Sequence, residues 1–178
     1  MTTLRILGED DVRALIDTDH ALDLARRTLR DQADGHSRLS TPSAMTLDAR
    51  AYGSGNFKFK AATVGHLGAS GIRLISRRSP TDLEACNYSA IYRHTGLALS
   101  GLVPELWISR IRTAAFGTAV LERLVNPGPL VVALFGTGKI AHEMVPMLAR
   151  ARSLWQNCGS LPAARKAWPP SPPPMRPG

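Results

Sequence analysis

The sequence predicts an α+β fold over residues 1–125, followed by the first β-α unit of a separate α/β domain at residues 129–150. Three observations predict it. Helical patterns open the chain, apolar/polar alternation dominates its middle, and a short apolar run (LVVALF, 130–135) meets Gly136-Thr137-Gly138-Lys139-Ile140-Ala141 before a new helical pattern begins. Strand, glycine turn and helix form the context that the dinucleotide fingerprint G-x-G-x-x-A requires, which makes the second unit an incomplete Rossmann (α/β) domain.

In chain order, Val12, Leu15 and Ile16 follow Glu9-Asp10-Asp11 and read as a short helix. A second helix starts with Asp17 or Thr18 as N-cap. Leu22, Ala25, Leu29 and Ala33 share one of its faces, Arg26, Arg27 and Arg30 occupy the rest, and Gly35 stops it. His20 and His36 flank this helix and read as solvated. Residues 56–64 (NFKFKAATV) and 71–77 (GIRLISR) alternate as strands do, and 87–92 and 97–102 flank the hairpin signal Arg93-His94-Thr95-Gly96. Three or four strands with one apolar face are expected to pack on the early helices. Residues 109–115 (SRIRTAA) lead into a helix ending near Leu124, with Ser109 a candidate N-cap and Ala115, Ala119, Val120 and Leu124 its apolar face. Asn126-Pro127-Gly128-Pro129 then ends the helix and links the two units.

The glycine turn has a physical logic. Gly136 permits the tight turn, Gly138 lets backbone approach a pyrophosphate, and Ala141 allows helix and strand to pack closely. The first helical N–H groups have no internal partners and favour an anion. A Walker-type phosphate loop is excluded, because Ala133 stands where its first glycine belongs and Ile140 where Ser or Thr follows the lysine.

Bulk properties bound the function. With 178 residues, 44% hydrophobic and 20% charged, the chain is expected to be a soluble globular protein of one or two domains. No apolar run reaches the roughly 20 residues of a membrane span. The opening MTTLRILGEDD has no apolar signal core, so a cytoplasmic location is expected. Cys86 and Cys158 form no C-x-x-C pair, and no cluster has metal-ligand spacing. The net charge of +8 points towards nucleic acid only until its distribution is considered. Residues 151–178 hold four of the 22 basic residues and none of the 14 acidic ones, which leaves +4 for the rest. The remaining cations are scattered without an aromatic ladder, so no nucleic-acid partner is expected. The same 28 residues hold seven of the 13 prolines and two of the three tryptophans, and periodicity stops there. This tail reads as disordered: either a polyproline ligand or the product of a shifted reading frame or truncated gene.

The order of elements, with Thr95-Gly96-Leu97-Ala98-Leu99, SRIRTAA at 109–115, LFGTGKIA at 134–141 and Gly71-Ile72-Arg73, resembles the ornithine cyclodeaminase/μ-crystallin family over roughly residues 4–150. The resemblance is to a C-terminally truncated or frameshifted member. It implies an N-terminal domain (1–125) that binds substrate and forms a homodimer through its sheet, then the start of a Rossmann domain (129–150) for NAD or NADP. It also implies chemistry at the C–N bond of a small α-amino or α-imino acid, as in cyclodeaminases, amino-acid dehydrogenases and ketimine reductases. The family's catalytic aspartate belongs to a later part of the Rossmann domain, so no catalytic residue is assigned here and little or no activity is expected. The alternative is a non-catalytic dimerisation or small-molecule binding module of the μ-crystallin type.

Residue roles follow partly from chemistry. Arg112 opens a helix, and its planar fork matches a carboxylate or pyrophosphate; the alternative is a solvated helix-start arginine. The resemblance places Arg112 between substrate carboxylate and cofactor. Thr113 either donates a hydroxyl to the same anion or caps locally. Arg73 stands where the family has a lysine that contacts the carboxylate and supports proton transfer. Arginine keeps the charge but does not give up its proton near neutral pH. Lys58 and Lys60, two apart on one strand face, are alternatives. The family's Pro-Arg has no counterpart at Thr41-Pro42-Ser43, and Arg38 and Arg50 are near only in sequence. Gly136, Thr137, Gly138, Lys139, Ile140 and Ala141 are the cofactor candidates. NAD versus NADP stays open, because no acid follows Glu143.

Overall fold

The computed structural model describes residues 3–48, 56–77, 87–126 and 131–151. Its elements are β1 (Arg5–Ile6), α1 (Glu9–Leu15), α2 (Thr18–Ala33), β2 (Ser37–Leu39), β3 (Met45–Asp48), β4 (Asn56–Val64), β5 (Ala69–Arg77), β6 (Tyr88–Arg93), β7 (Leu99–Pro104), α3 (Ile108–Leu124) and α4 (Lys139–Arg150). Seven strands form one mixed sheet in the order β1-β7-β6-β5-β4-β2, with β3 also paired to β4. Among the described residues only the β1–β7 pairing is parallel. The sheet is larger than the three or four strands expected, because β1, β2 and β3 are too short to carry a readable alternation.

Local chemistry explains the helix ends. Asp11 reaches back to accept from Gly8 N–H at 2.8 Å, and Asp17 caps α2 by accepting from His20 N–H at 2.7 Å. Gly35, at φ 75°, takes the left-handed turn just beyond α2. The start of α3 differs from the expectation: Ser109 is inside the first turn rather than its cap. The cap is supplied from a distance by Glu9, whose carboxylate accepts from Leu106 N–H at 2.9 Å and Trp107 N–H at 3.2 Å. A carboxylate at a helix N-terminus also complements the dipole. Arg13 lies 5.2 Å from the Trp107 ring centroid and strengthens the same junction.

The buried core lies among the helices. Val12, Leu22, Ala25, Trp107, Ile111, Ala114, Ala115, Ala119 and Met147 form one cluster, with Leu7 and Val103 packed on it from the sheet side. Alanines on α3 let α2 and α4 approach closely. Arg26 of α2 and Glu122 of α3 are paired through two contacts, one of them Nε to Oε2 at 2.9 Å.

The strand expected at 130–135 does not form over its described residues, 131–135; Leu130 and the Pro127-Gly128-Pro129 linker lie outside the described residues. Residues 131–137 have no regular structure, and Val131 and Phe135 are 94% and 86% exposed. A parallel strand needs hydrogen-bonded neighbours and cover on both faces, and no described residues supply them. With no strand there, Ala141 has none to pack on. The helix after the glycines does form, and its Met147 and Leu148 are buried on the helical layer of the first unit. Residues 152–178, and hence the proline-rich tail, lie outside the described residues, as do Arg50 and Cys86. Among the described residues no helix is long and apolar enough to cross a membrane.

Candidate functional site

The sheet register builds the site. Lys60 of β4 is the direct partner of Arg73 on β5, and Arg73 that of Ser89 on β6. Direct cross-strand partners project to the same face, so these three side chains form a row. Glu105 follows β7, and Arg112 comes from the second turn of α3. Together Lys60, Arg73, Ser89, Glu105 and Arg112 line a cleft of about 420 Å³, whose remaining walls include Leu39, Ala62, Val64, Leu67 and Ile91. Charged groups over apolar walls suit a small organic anion.

Electrostatics separate the cations. Glu105 is 4% exposed, accepts from Ser89 Oγ and forms an ion pair with Arg73 Nε. That contact is coulombic rather than an aligned hydrogen bond. Arg112 differs in having no ion pair among the described residues, and its buried Nε has no hydrogen-bond partner. Burial lowers its affinity for its proton, and nearby Arg73 lowers it further, while Glu105 opposes both. A guanidinium always stays charged, so Arg112, which lines this cleft and also a second, apolar cavity with Ile16, Ala25 and Phe116, keeps a donor without a hydrogen-bond partner among the described residues.

The structure therefore brings together Arg112, Arg73 and, of the two lysine alternatives, Lys60. Lys58 is not among the cleft residues, and Arg38 is exposed on β2. Thr113 is also outside it: it is exposed, and its hydroxyl donates to the Ser109 carbonyl at 2.6 Å, the bond of a mid-helix threonine. Sequence reasoning missed Glu105 and Ser89. An acid one residue past an apolar strand, with arginines at 73 and 112 awaiting a counter-charge, was the available signal for Glu105.

None of the glycine-turn residues 136–141 is part of the cleft lining. Gly136 has φ 104°, a value that excludes side chains with little strain, and a Cβ built on Gly138 meets nothing within 4 Å. The first intrahelical bond of α4 is His142 N–H to the Gly138 carbonyl at 3.2 Å. The N–H groups of Lys139, Ile140 and Ala141 thus precede the helical ladder. No acid occupies the first turn, and Lys139 adds a positive charge. An open turn with free donors fits a pyrophosphate.

A second polar cluster ties α2 to the turn after β4. Asp31 accepts from His66 N–H at 2.9 Å, contacts His66 Nδ1 at 2.7 Å and accepts from Ser37 Oγ at 3.2 Å. These bonds, led by the His66 backbone N–H, hold the Asp31 carboxyl below its usual range.

The mixed sheet with its helices is the N-terminal part of a dehydrogenase-like fold. It is the fold of the ornithine cyclodeaminase and amino-acid dehydrogenase group. A probable ornithine cyclodeaminase from Bordetella pertussis superposes with a TM-score of 0.73 at 15% identity, over 85% of this chain and 46% of that one. An archaeal alanine dehydrogenase dimer with bound NAD gives 0.70 at 16% identity, over 86% and 46%. The Δ1-pyrroline-2-carboxylate reductase of Thermococcus litoralis, in complex with NADH and L-proline, gives 0.68 at 14% identity, over 85% and 46%. The chain thus spans slightly under half the length of these structures. No family model matches the sequence, and a comparison with curated proteins gives no match.

Proposed function

We propose that this chain is the substrate-binding part of an NAD-type oxidoreductase or cyclodeaminase that acts on the C–N bond of a small α-amino or α-imino acid. The observation that carries the reading is the buried, unpartnered Nε of Arg112 at a cleft that also holds Lys60 and Arg73. A substrate carboxylate satisfies that donor and brings the α-carbon beside the Lys60–Arg73 row. An ammonium is a proton carrier in a way a guanidinium is not, so Lys60 takes the proton-holding role and Arg73 a purely electrostatic one. The nicotinamide, when bound, supplies or accepts the hydride. Gly136, Thr137, Gly138, Lys139, Ile140 and Ala141 hold its pyrophosphate through backbone N–H groups and the lysine. The bound NAD and NADH of the similar structures support this assignment. Leu39, Met45 and Leu47 are exposed on the two short strands that share the outer edge of β4, and this apolar margin supports a homodimer through the sheet.

Titration calorimetry with NADH and L-proline tests the reading. Arg112→Gln is expected to weaken L-proline binding by about tenfold or more, the usual worth of a charge-assisted hydrogen bond. Gly138→Val is expected to weaken NADH by a similar factor with no fall in Tm, since its side chain enters open space. L-proline binding that ignores Arg112→Gln refutes the carboxylate clamp.

A further inference from the structure

We infer that the cleft selects an acid with an apolar side chain over one ending in an ammonium group, and that Arg73 sets this preference by occupying Glu105. The inference rests on the carboxylate clamp proposed above. Three cations line the cleft, Lys60, Arg73 and Arg112, and among the described residues Glu105 is the only carboxylate there. Both oxygens of Glu105 are committed, one to Ser89 Oγ and the other to Arg73. A bound carboxylate engages Arg112 and still leaves the cleft without a surplus of negative charge. A substrate side chain carrying a second ammonium therefore meets cations and, among the described residues, no unpaired carboxylate, whereas a methyl terminus meets the walls made by alanines, Val64 and Ile91. Placing like charges together and stripping an ammonium of water both disfavour the former.

Two ligands isolate the effect. L-norleucine and L-ornithine share the α-carboxylate and α-ammonium groups and match in length, differing in a terminal methyl or ammonium. Calorimetry on the full chain is expected to show norleucine binding at least about tenfold tighter than ornithine. Arg73→Met releases Glu105 and is expected to narrow or reverse that ratio, while Arg73→Lys, which keeps the ion pair, preserves it. Thermal melts accompany each variant, and the comparison of ligands on the unaltered chain stands without them. Ornithine binding as tightly as norleucine, with both lost in Arg112→Gln, overturns the inference and leaves the clamp standing. A ratio unmoved in a folded Arg73→Met overturns the role of Arg73. Binding of either ligand that ignores Arg112→Gln overturns the clamp, and the inference with it.

Discussion

Glu105→Gln should lower stability and strengthen anion binding at once, a combination that ordinary core damage does not produce. The glutamine is nearly isosteric, so packing is kept and only the charge goes. Arg73 then sits with its side chain 20% exposed and no counter-ion, beside Lys60 and Arg112. Removing one partner of a fully buried pair costs about 3–5 kcal/mol. Because Arg73 retains some water and the cleft is open, the cost falls to the floor of that range or just below it, about 2–3 kcal/mol. For a chain of this size that lowers Tm by about 4–12 °C. Circular dichroism melts at neutral pH measure it. A double-mutant cycle with Arg73→Met isolates the pair, since Glu105→Gln should cost little once Arg73 is neutral. Calorimetry with L-norleucine should show affinity rising severalfold, because the competing carboxylate has left the cleft. An unchanged Tm, or the same cost in the Arg73→Met background, refutes the claim that Glu105 is held by Arg73.

Two further predictions concern the frame of the site. Met147→Ala, at a position 1% exposed in the helical core, should cost about 2–5 kcal/mol by urea unfolding, and no loss means that α4 does not dock on α2 and α3 in solution. Asp31→Asn should destabilise at neutral pH and progressively less in acid. The folded Asp31 carboxyl lies below its usual 3.8, so its contribution is full above that value and is lost as pH falls through the lower, folded one. Urea midpoints at pH 7 and about pH 2 check this, and an equal gap between the two proteins at both pH values refutes it.

Much of the first unit is legible in the sequence because its signals are local. The Asp17 cap, the Leu22–Ala25 face and the Gly35 stop lie within one helix, and the hairpin around His94 is announced by its own turn residues. The site is less legible for the opposite reason. Lys60, Arg73, Ser89, Glu105 and Arg112 come from four different elements and one connecting residue, and sheet register alone brings them together. Arg112 could be singled out by its place at a helix start. The partner that decides the role of Arg73 lies 32 positions along the chain, a separation that neither period 2 nor period 3.6 reveals. Glu9 as the cap of α3 is hidden in the same way. Ser109 is the better cap by local preference, but the tertiary contact starts the helix earlier.

The unformed strand and the formed helix on either side of Gly136 follow from one asymmetry. An α-helix satisfies its own backbone, so α4 needs only an apolar surface, and Met147 finds one in the core of the first unit. A strand satisfies nothing by itself. The β-branched run at 131–135 encodes burial on both faces and pairing on both edges, which makes it a statement about neighbours rather than about its own conformation. Apart from Val132, which packs beside Leu148 and Ala151, its side chains are exposed here because the described residues offer none of those neighbours. The glycine turn needs neither: the positive φ of Gly136 and the free N–H groups of Lys139, Ile140 and Ala141 depend only on the turn and the first turn of α4. The proposed pyrophosphate cradle therefore does not depend on a neighbouring sheet, and so Gly138→Val tests it independently of the strand.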